Sequence, residues 1–217
     1  MSDYLGAFSD LLVERLEEDE QYFIVTGGGE IARRYMSLVD KEGISQYSLD
    51  GIGILATRLN AFVVASYFGD LSNKEPFTTV EEAALLGELY PIVVGGGTVP
   101  GHSTDAVAAL VAERVGGEVF LNLTTVDGVY ERDPRKHPGA KMYRELNTEE
   151  LLKLTMEKGF GAGGHMVIDP LAAIVIHRSS IRTVVMNGRD LENLRSFFEG
   201  KEFRGTVINP IEGGENG

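Results

Sequence analysis

The residues of this chain best suited to chemistry are glycines, and they fall in two clusters that each follow an apolar run. Residues 92–105 read Ile-Val-Val-Gly-Gly-Gly-Thr-Val-Pro-Gly-His-Ser-Thr-Asp and lead into an alanine- and valine-rich stretch to Glu113. This is the pattern of a buried strand, a turn, and an amphipathic helix starting near Thr104 or Asp105. Glycine admits positive φ and lets an anion approach the backbone closely. The free N–H groups and dipole of a helix start favour negative charge, typically phosphate. The same pattern also suits an ordinary strand-to-helix connection capped by Thr104 or Asp105.

A second unit of this kind begins with a short strand at Tyr22–Thr26, passes through Gly27, Gly28 and Gly29, and returns to helical periodicity over 30–41. Arg33 and Arg34 sit in the first turn of that helix, where a phosphate would meet both N–H donors and a guanidinium. A merely solvated side chain is the alternative, and it fits Arg34 better. A third stretch, Thr124-Thr-Val-Asp-Gly-Val-Tyr130 followed by Asp133-Pro134, places turn residues and a stackable tyrosine just beyond a strand. Ligands in open α/β sheets bind at such carboxyl ends, though a plain hairpin turn at Asp127-Gly128 would leave the same trace.

Two glycine turns that open helices suggest two anions held in one crevice. Phosphoryl transfer needs that arrangement, with a donor triphosphate at one turn and an acceptor at the other, held in line. If the acceptor is itself a phosphate, no general base is required, because a phosphate monoester loses its second proton near pH ~6. The histidines agree with this. Of His102, His137, His165 and His177, only His102 lies in a candidate site, and no pair has metal-ligand spacing. No protein-built metal centre is therefore expected. The Walker pattern and a properly placed G-x-G-x-x-G are both absent.

The elements that would carry these turns alternate between strand and helix. Helical spacing runs over 3–18, with Leu5, Phe8, Leu12 and Leu16 apolar. Asp50 is read as the cap of a helix over 51–68, residues 70–78 as a loop, and Thr79 with Glu82 as a capping box for a helix to Gly87. Strands are expected at Tyr90–Gly95, Glu118–Leu123, Arg182–Met186 and Gly205–Ile208. Helices are expected over 148–157, opened by Asn147 and Glu150, over 170–179 behind Asp169-Pro170, and over 190–198. Residues 159–164, Gly-Phe-Gly-Ala-Gly-Gly, form a candidate lid, and the tail from Glu212 is rich in glycine. This alternation implies an α/β three-layer sandwich, a mainly parallel sheet covered by helices on both faces, in one domain over 1–210.

Composition narrows the function class. A hydrophobic fraction of 43% over 217 residues supports a large core, and zero cysteines remove disulfides, thiolate metal sites and a cysteine nucleophile. A formal net charge of −13 argues against binding nucleic acid through its phosphate backbone. The N-terminus shows no basic-then-apolar signal and no apolar run of membrane-crossing length is read, so a cytoplasmic protein with no membrane partner is expected.

Five blocks together carry a family resemblance. They are residues 27–35 (Gly-Gly-Gly-Glu-Ile-Ala-Arg-Arg-Tyr), 50–61 (Asp-Gly-Ile-Gly-Ile-Leu-Ala-Thr-Arg-Leu-Asn-Ala), 96–110 (starting Gly-Gly-Thr-Val-Pro-Gly-His-Ser-Thr-Asp), 125–134 and 167–173. In this order, and over nearly the whole chain, the sequence resembles the amino-acid-kinase superfamily and, within it, the archaeal type of UMP kinase. The resemblance implies transfer of the γ-phosphoryl group of ATP to UMP, with Mg²⁺ held mainly by phosphates and water, in pyrimidine nucleotide synthesis. By the family pattern, Gly28, Asp50 and the turn of Thr98, Val99, Pro100, Gly101, His102, Ser103 and Thr104 would hold UMP. Asp50 would take the ribose hydroxyls. Gly29, Arg33, Thr124, Tyr130 and Asp133 would hold ATP. Asp105 would organise the reacting groups beside Arg33. A homohexamer built through the first helices is implied as well.

Such kinases begin with a strand ending in a Gly-Gly-Ser-like loop, which would lie ahead of Met1. The expectation is that Met1 is internal to a longer protein or that the chain is truncated. If it is natural as it stands, a catalytically weak nucleotide-binding member is expected. A superfamily kinase acting on a small carboxylate is the other alternative, opposed by the Asp50 block.

Overall fold

The apolar spacing near the N-terminus produces α1 (Ser2–Leu16), which buries Leu11 and Leu12. The computed structural model describes residues 2–16, 20–39, 43–159 and 167–211. The tail beyond 211 and most of the candidate lid at 159–164 lie outside them. The chain divides into two compact units, Met1–Val115 and Gly116–Gly217.

In the first unit, β1 (Tyr22–Val25) runs parallel to β2 (Ile92–Gly95), with Val25 opposite Gly95. Each strand ends in glycines and is followed by a helix, α2 (Gly29–Val39) after the first and α5 (Thr104–Val115) after the second. Between them lie α3 (Gln46–Phe68) and the short α4 (Val80–Gly87). Side chains on a strand alternate between faces. Phe23, Val25 and Val93 accordingly share one face and pack with Phe77, Ala83, Val107 and Val111 against α4 and α5. Helix α3 packs on β2, α1 and α2.

Several local expectations are corrected. Asp50 is not a cap: α3 starts five residues earlier, behind Ser45, whose hydroxyl accepts from the Ser48 N–H. Helix α5 is capped by neither Thr104 nor Asp105, because the Ser103 hydroxyl accepts from the Ala106 N–H. The stretch 70–78 is only partly loop. After a 3-10 turn at Gly69–Leu71, Ser72 and Phe77 bridge to β2 on the edge away from β1. Between them the buried Asn73 amide takes the place of a strand backbone, accepting from the Val94 N–H at 2.7 Å and donating to its carbonyl at 2.8 Å.

Helix α3, counted on through Leu71, is long and apolar enough to cross a membrane, contrary to the expectation of no such run. Its polar residues Asp50, Thr57, Arg58 and Asn60 break the run by eye but leave its average apolar. All four bond to backbone of the first unit.

The second unit holds a four-stranded sheet in the order β3-β5-β6-β4, from β3 (Val119–Thr124), β4 (Glu145–Asn147), β5 (Arg182–Asn187) and β6 (Thr206–Asn209). β3 pairs in parallel with β5, and β4 with β6, while β5 and β6 are antiparallel. Three of the four strand pairings among the described residues are thus parallel, as expected, but the strands fall into two sheets. No hairpin forms at Asp127-Gly128, since the partner of β3 is β5. Helices α6 (Thr148–Gly159), α7 (Pro170–Arg178) and α8 (Leu191–Phe198) complete the unit. The Asn147–Glu150 capping box closes in both directions, at 2.9 and 2.8 Å, and Asp169 caps α7.

Candidate active site

The first unit brings the two glycine turns together. Because β1 and β2 are adjacent and parallel, both turns leave the sheet at the same end, and the Thr26 N–H donates to the Gly95 carbonyl. A β-carbon on Gly27 would lie 3.8 Å from the Thr104 hydroxyl, so the first turn sits beside the start of α5. The two strand-to-helix turns therefore lie side by side at one end of the sheet, each leading to the start of a helix.

Helix α3 holds both turns through a row of polar side chains. Asn60 donates to the carbonyls of Gly27 and Gly28, at 2.8 and 3.3 Å. Thr57 accepts from the Gly97 N–H at 2.7 Å, and its carbonyl accepts from the Thr26 hydroxyl at 2.8 Å. Arg58 donates to the carbonyls of Gly97, Thr98 and Thr78. Asp50 accepts from the Gly101 N–H at 2.8 Å, which leaves its second oxygen for another partner. Glycine is required where this helix passes: a β-carbon on Gly96 would lie 2.8 Å from the Arg58 nitrogen, and Gly101 has φ +87°. Thr57, Arg58 and Asn60 were quoted in the sequence only as part of a motif, without roles. Their signal was there: Asp50 and Thr57 are seven residues apart and Thr57 and Asn60 three, so they share one side of an otherwise apolar helix.

Of the acceptor-side residues read from the sequence, Gly28, Asp50, Thr98, Val99, Pro100, Gly101, His102, Ser103 and Thr104 all lie in the first unit, on these turns or on α3. A cleft of about 610 Å³ opens beside the second turn, lined by Thr98, Val99 and His102 together with Glu81, Glu113 and Arg114. That volume is within the usual range for small-molecule sites. The His102 Nδ1 is buried there and has no partner among the described residues. Gly29, with φ +59°, and Arg33 stand at the start of α2. Arg33 is exposed and makes no hydrogen bond or ion pair among the described residues. Asp105 occupies the first turn of α5.

The remaining donor-side residues belong to the second unit. Thr124 ends β3, where its carbonyl accepts from the Gly188 N–H. Tyr130 bridges to Met142. The Asp133 carboxylate is held below the usual carboxylate range, chiefly by the hydrogen bond from the Arg135 side chain and then by that from its backbone N–H. Among the described residues no group of three or more His, Asp or Glu could hold a metal ion.

The model of the amino acid kinase family matches residues 3–187. Uridylate kinase from Methanoregula boonei is 42% identical over 190 residues, covering 88% of this chain and 81% of the relative. The one from Archaeoglobus fulgidus is 43% identical over 196 residues, covering 90% and 88%. The crystal structure of uridylate kinase from Archaeoglobus fulgidus superposes with a TM-score of 0.82 at 39% identity, over 96% of this chain and 93% of that one. The chain belongs to the amino acid kinase family, and within it is similar to the archaeal uridylate kinases.

Proposed function

We propose that this protein transfers the γ-phosphoryl group of ATP to UMP, giving UDP and ADP. The observation that carries the reading is the pair of adjacent glycine turns fastened to one helix, in a chain whose curated relatives are uridylate kinases. Those relatives favour a nucleotide over a small carboxylate as acceptor.

In this reading Gly28, Asp50 and the turn Thr98–Thr104 hold UMP. The free oxygen of Asp50 takes the ribose hydroxyls, while its other oxygen keeps the Gly101 N–H. An oxygen of the UMP phosphate, already anionic at neutral pH, attacks the γ-phosphorus as the bond to the ADP oxygen breaks, so no side chain need remove a proton. Arg33 meets the charge spread over the transferring group. Gly29, Thr124, Tyr130 and Asp133 hold the rest of ATP, and Asp105 organises the start of α5. Mg²⁺, carried on the triphosphate, would supply neutralisation of phosphate charge.

The reading carries with it a cytoplasmic enzyme of pyrimidine nucleotide synthesis on the way to CTP, working as one catalytic domain over 1–210. It also carries a homohexamer. Support for assembly through the first helices comes from α3, where Tyr47, Leu55, Leu59 and Phe62 are exposed. A coupled ATP assay with UMP, CMP, dUMP and glutamate tests the reaction. UMP should give the highest kcat/KM. Turnover of glutamate without turnover of UMP would replace the reading with a carboxylate kinase.

A further inference from the structure

Arg58 is the one cation among the side chains that fasten the second turn, and the atoms it binds are carbonyls. Its Nε donates to Gly97 at 3.0 Å, and its Nη2 to Thr98 at 3.1 Å and to Thr78 at 3.4 Å. A guanidinium offers donors in a fixed planar fork, so it fixes the direction of the carbonyls it meets as well as their distance.

That direction has a consequence for the neighbouring N–H groups. A peptide unit is planar and trans, with its C=O and N–H pointing opposite ways, and no cis bond occurs among the described residues. Turning the Gly97 carbonyl toward Arg58 turns the Thr98 N–H away from it. Turning the Thr98 carbonyl toward Arg58 does the same to the Val99 N–H. Among the described residues no group accepts from either N–H. Two neighbouring backbone donors thus point away from Arg58 and have no partner among the described residues, and both belong to residues that line the cleft.

We propose that Arg58 is a positioning residue for the acceptor: by holding the Gly97 and Thr98 carbonyls it presents the Thr98 and Val99 N–H groups to an anionic oxygen of the bound nucleotide. This rests on the acceptor role given to the turn above. Without the guanidinium the two peptides can rotate, and a carbonyl facing the anion repels it where an N–H would bind it. The contact to Thr78 extends the same clamp to the segment just before α4, whose Thr79 lines the cleft. Thr57 and Asp50 hold the turn at its N–H groups, so among the described residues Arg58 alone bonds these two carbonyls.

The test uses the full chain with Arg58→Gln and Arg58→Lys. In steady-state assays Arg58→Gln should raise the KM for UMP about 10-fold or more, the scale of one lost charge-assisted contact, and leave the KM for ATP within about 2-fold. Arg58→Lys, which keeps a charge but not the fork, should recover part of that loss. If Arg58→Gln does not fold, the lysine variant decides by the same comparison. An independent readout is the NMR signals of the Thr98 and Val99 amides during titration with inorganic phosphate. They should move in the wild type and stay in place in the variant. This second readout does not depend on UMP turnover, so an enzyme inactive on UMP would remove the function reading and leave the inference to be judged on the amide signals. An unchanged KM for UMP in a folded variant, a parallel rise in both KM values, or equal amide shifts in both proteins would overturn it.

Discussion

Replacing Gly96 by alanine should lower the melting temperature by roughly 5–10 °C, an overpacking cost of about 2–3 kcal/mol in a chain of this length. The β-carbon would lie 2.6 Å from the Thr57 hydroxyl oxygen, 2.8 Å from the Arg58 nitrogen and 2.9 Å from the Thr57 carbonyl carbon. Two of those atoms are backbone inside α3, which cannot give way as the end of a flexible side chain could. The turn must retreat instead, and with it the Gly97 N–H that bonds to Thr57 at 2.7 Å. The loss should therefore reach the acceptor site, with weaker UMP binding accompanying the fall in stability. Gly6→Ala is the contrasting control: nothing lies within 4 Å of its β-carbon position, in the middle of α1. There alanine should be neutral or stabilising by up to about 1 kcal/mol, as a better helix former. Differential scanning calorimetry of the two variants separates these outcomes. Equal melting temperatures for both would remove the close approach of α3 and the turn from the account.

The second large effect is expected at Arg33. Arg33→Ala should reduce kcat about 100-fold or more while the KM for UMP changes little, because the guanidinium acts on charge that the transferring group carries in the transition state. Its exposure and lack of partners among the described residues mean that nothing in the fold depends on it, so the melting temperature should not move. Arg34→Ala, one position on and also exposed, should change kcat by no more than about 2-fold. Steady-state kinetics on the pair decides the matter. Comparable losses at both positions would point to a general electrostatic field rather than one placed guanidinium.

Much of this site could be read along the chain because its signals are local. An apolar run followed by three glycines and a new helical period needs no knowledge of distant residues, and both such units folded as written. Capping boxes are local too. Asn147–Glu150 closes as read, while Thr79 accepts from Glu82 but Glu82 reaches back to the Thr78 N–H, one residue early. The cap of α5 is expected at Thr104 or Asp105 and is Ser103, since all three carry an oxygen and only the backbone's entry into the helix selects one. Asp50 was misread because an acid ahead of Gly51 and Gly53 resembles a cap, whereas Ser45 had already opened the helix. The edge stretch 72–77 and the short β4 were invisible for another reason. Their pairing partners lie far along the chain, and at Asn73 a side-chain amide does the work of a strand backbone. The organising role of α3 belongs to the same class: its polar row was visible as letters, but its targets at Gly27, Gly97 and Gly101 exist only in the fold.

The central claim is that the turn fastened by α3 in the first unit is the UMP site. Calorimetric titration of the wild type and Asp50→Asn with UMP and with ATP tests it most directly. The asparagine carbonyl can still accept from the Gly101 N–H, so the turn should keep its place while the oxygen meant for the ribose becomes a donor or is lost. The account predicts that UMP binds about 10-fold or more weakly to the variant and that ATP binding stays within about 2-fold of the wild type. Unchanged UMP affinity, or an equal loss for both nucleotides, would contradict it.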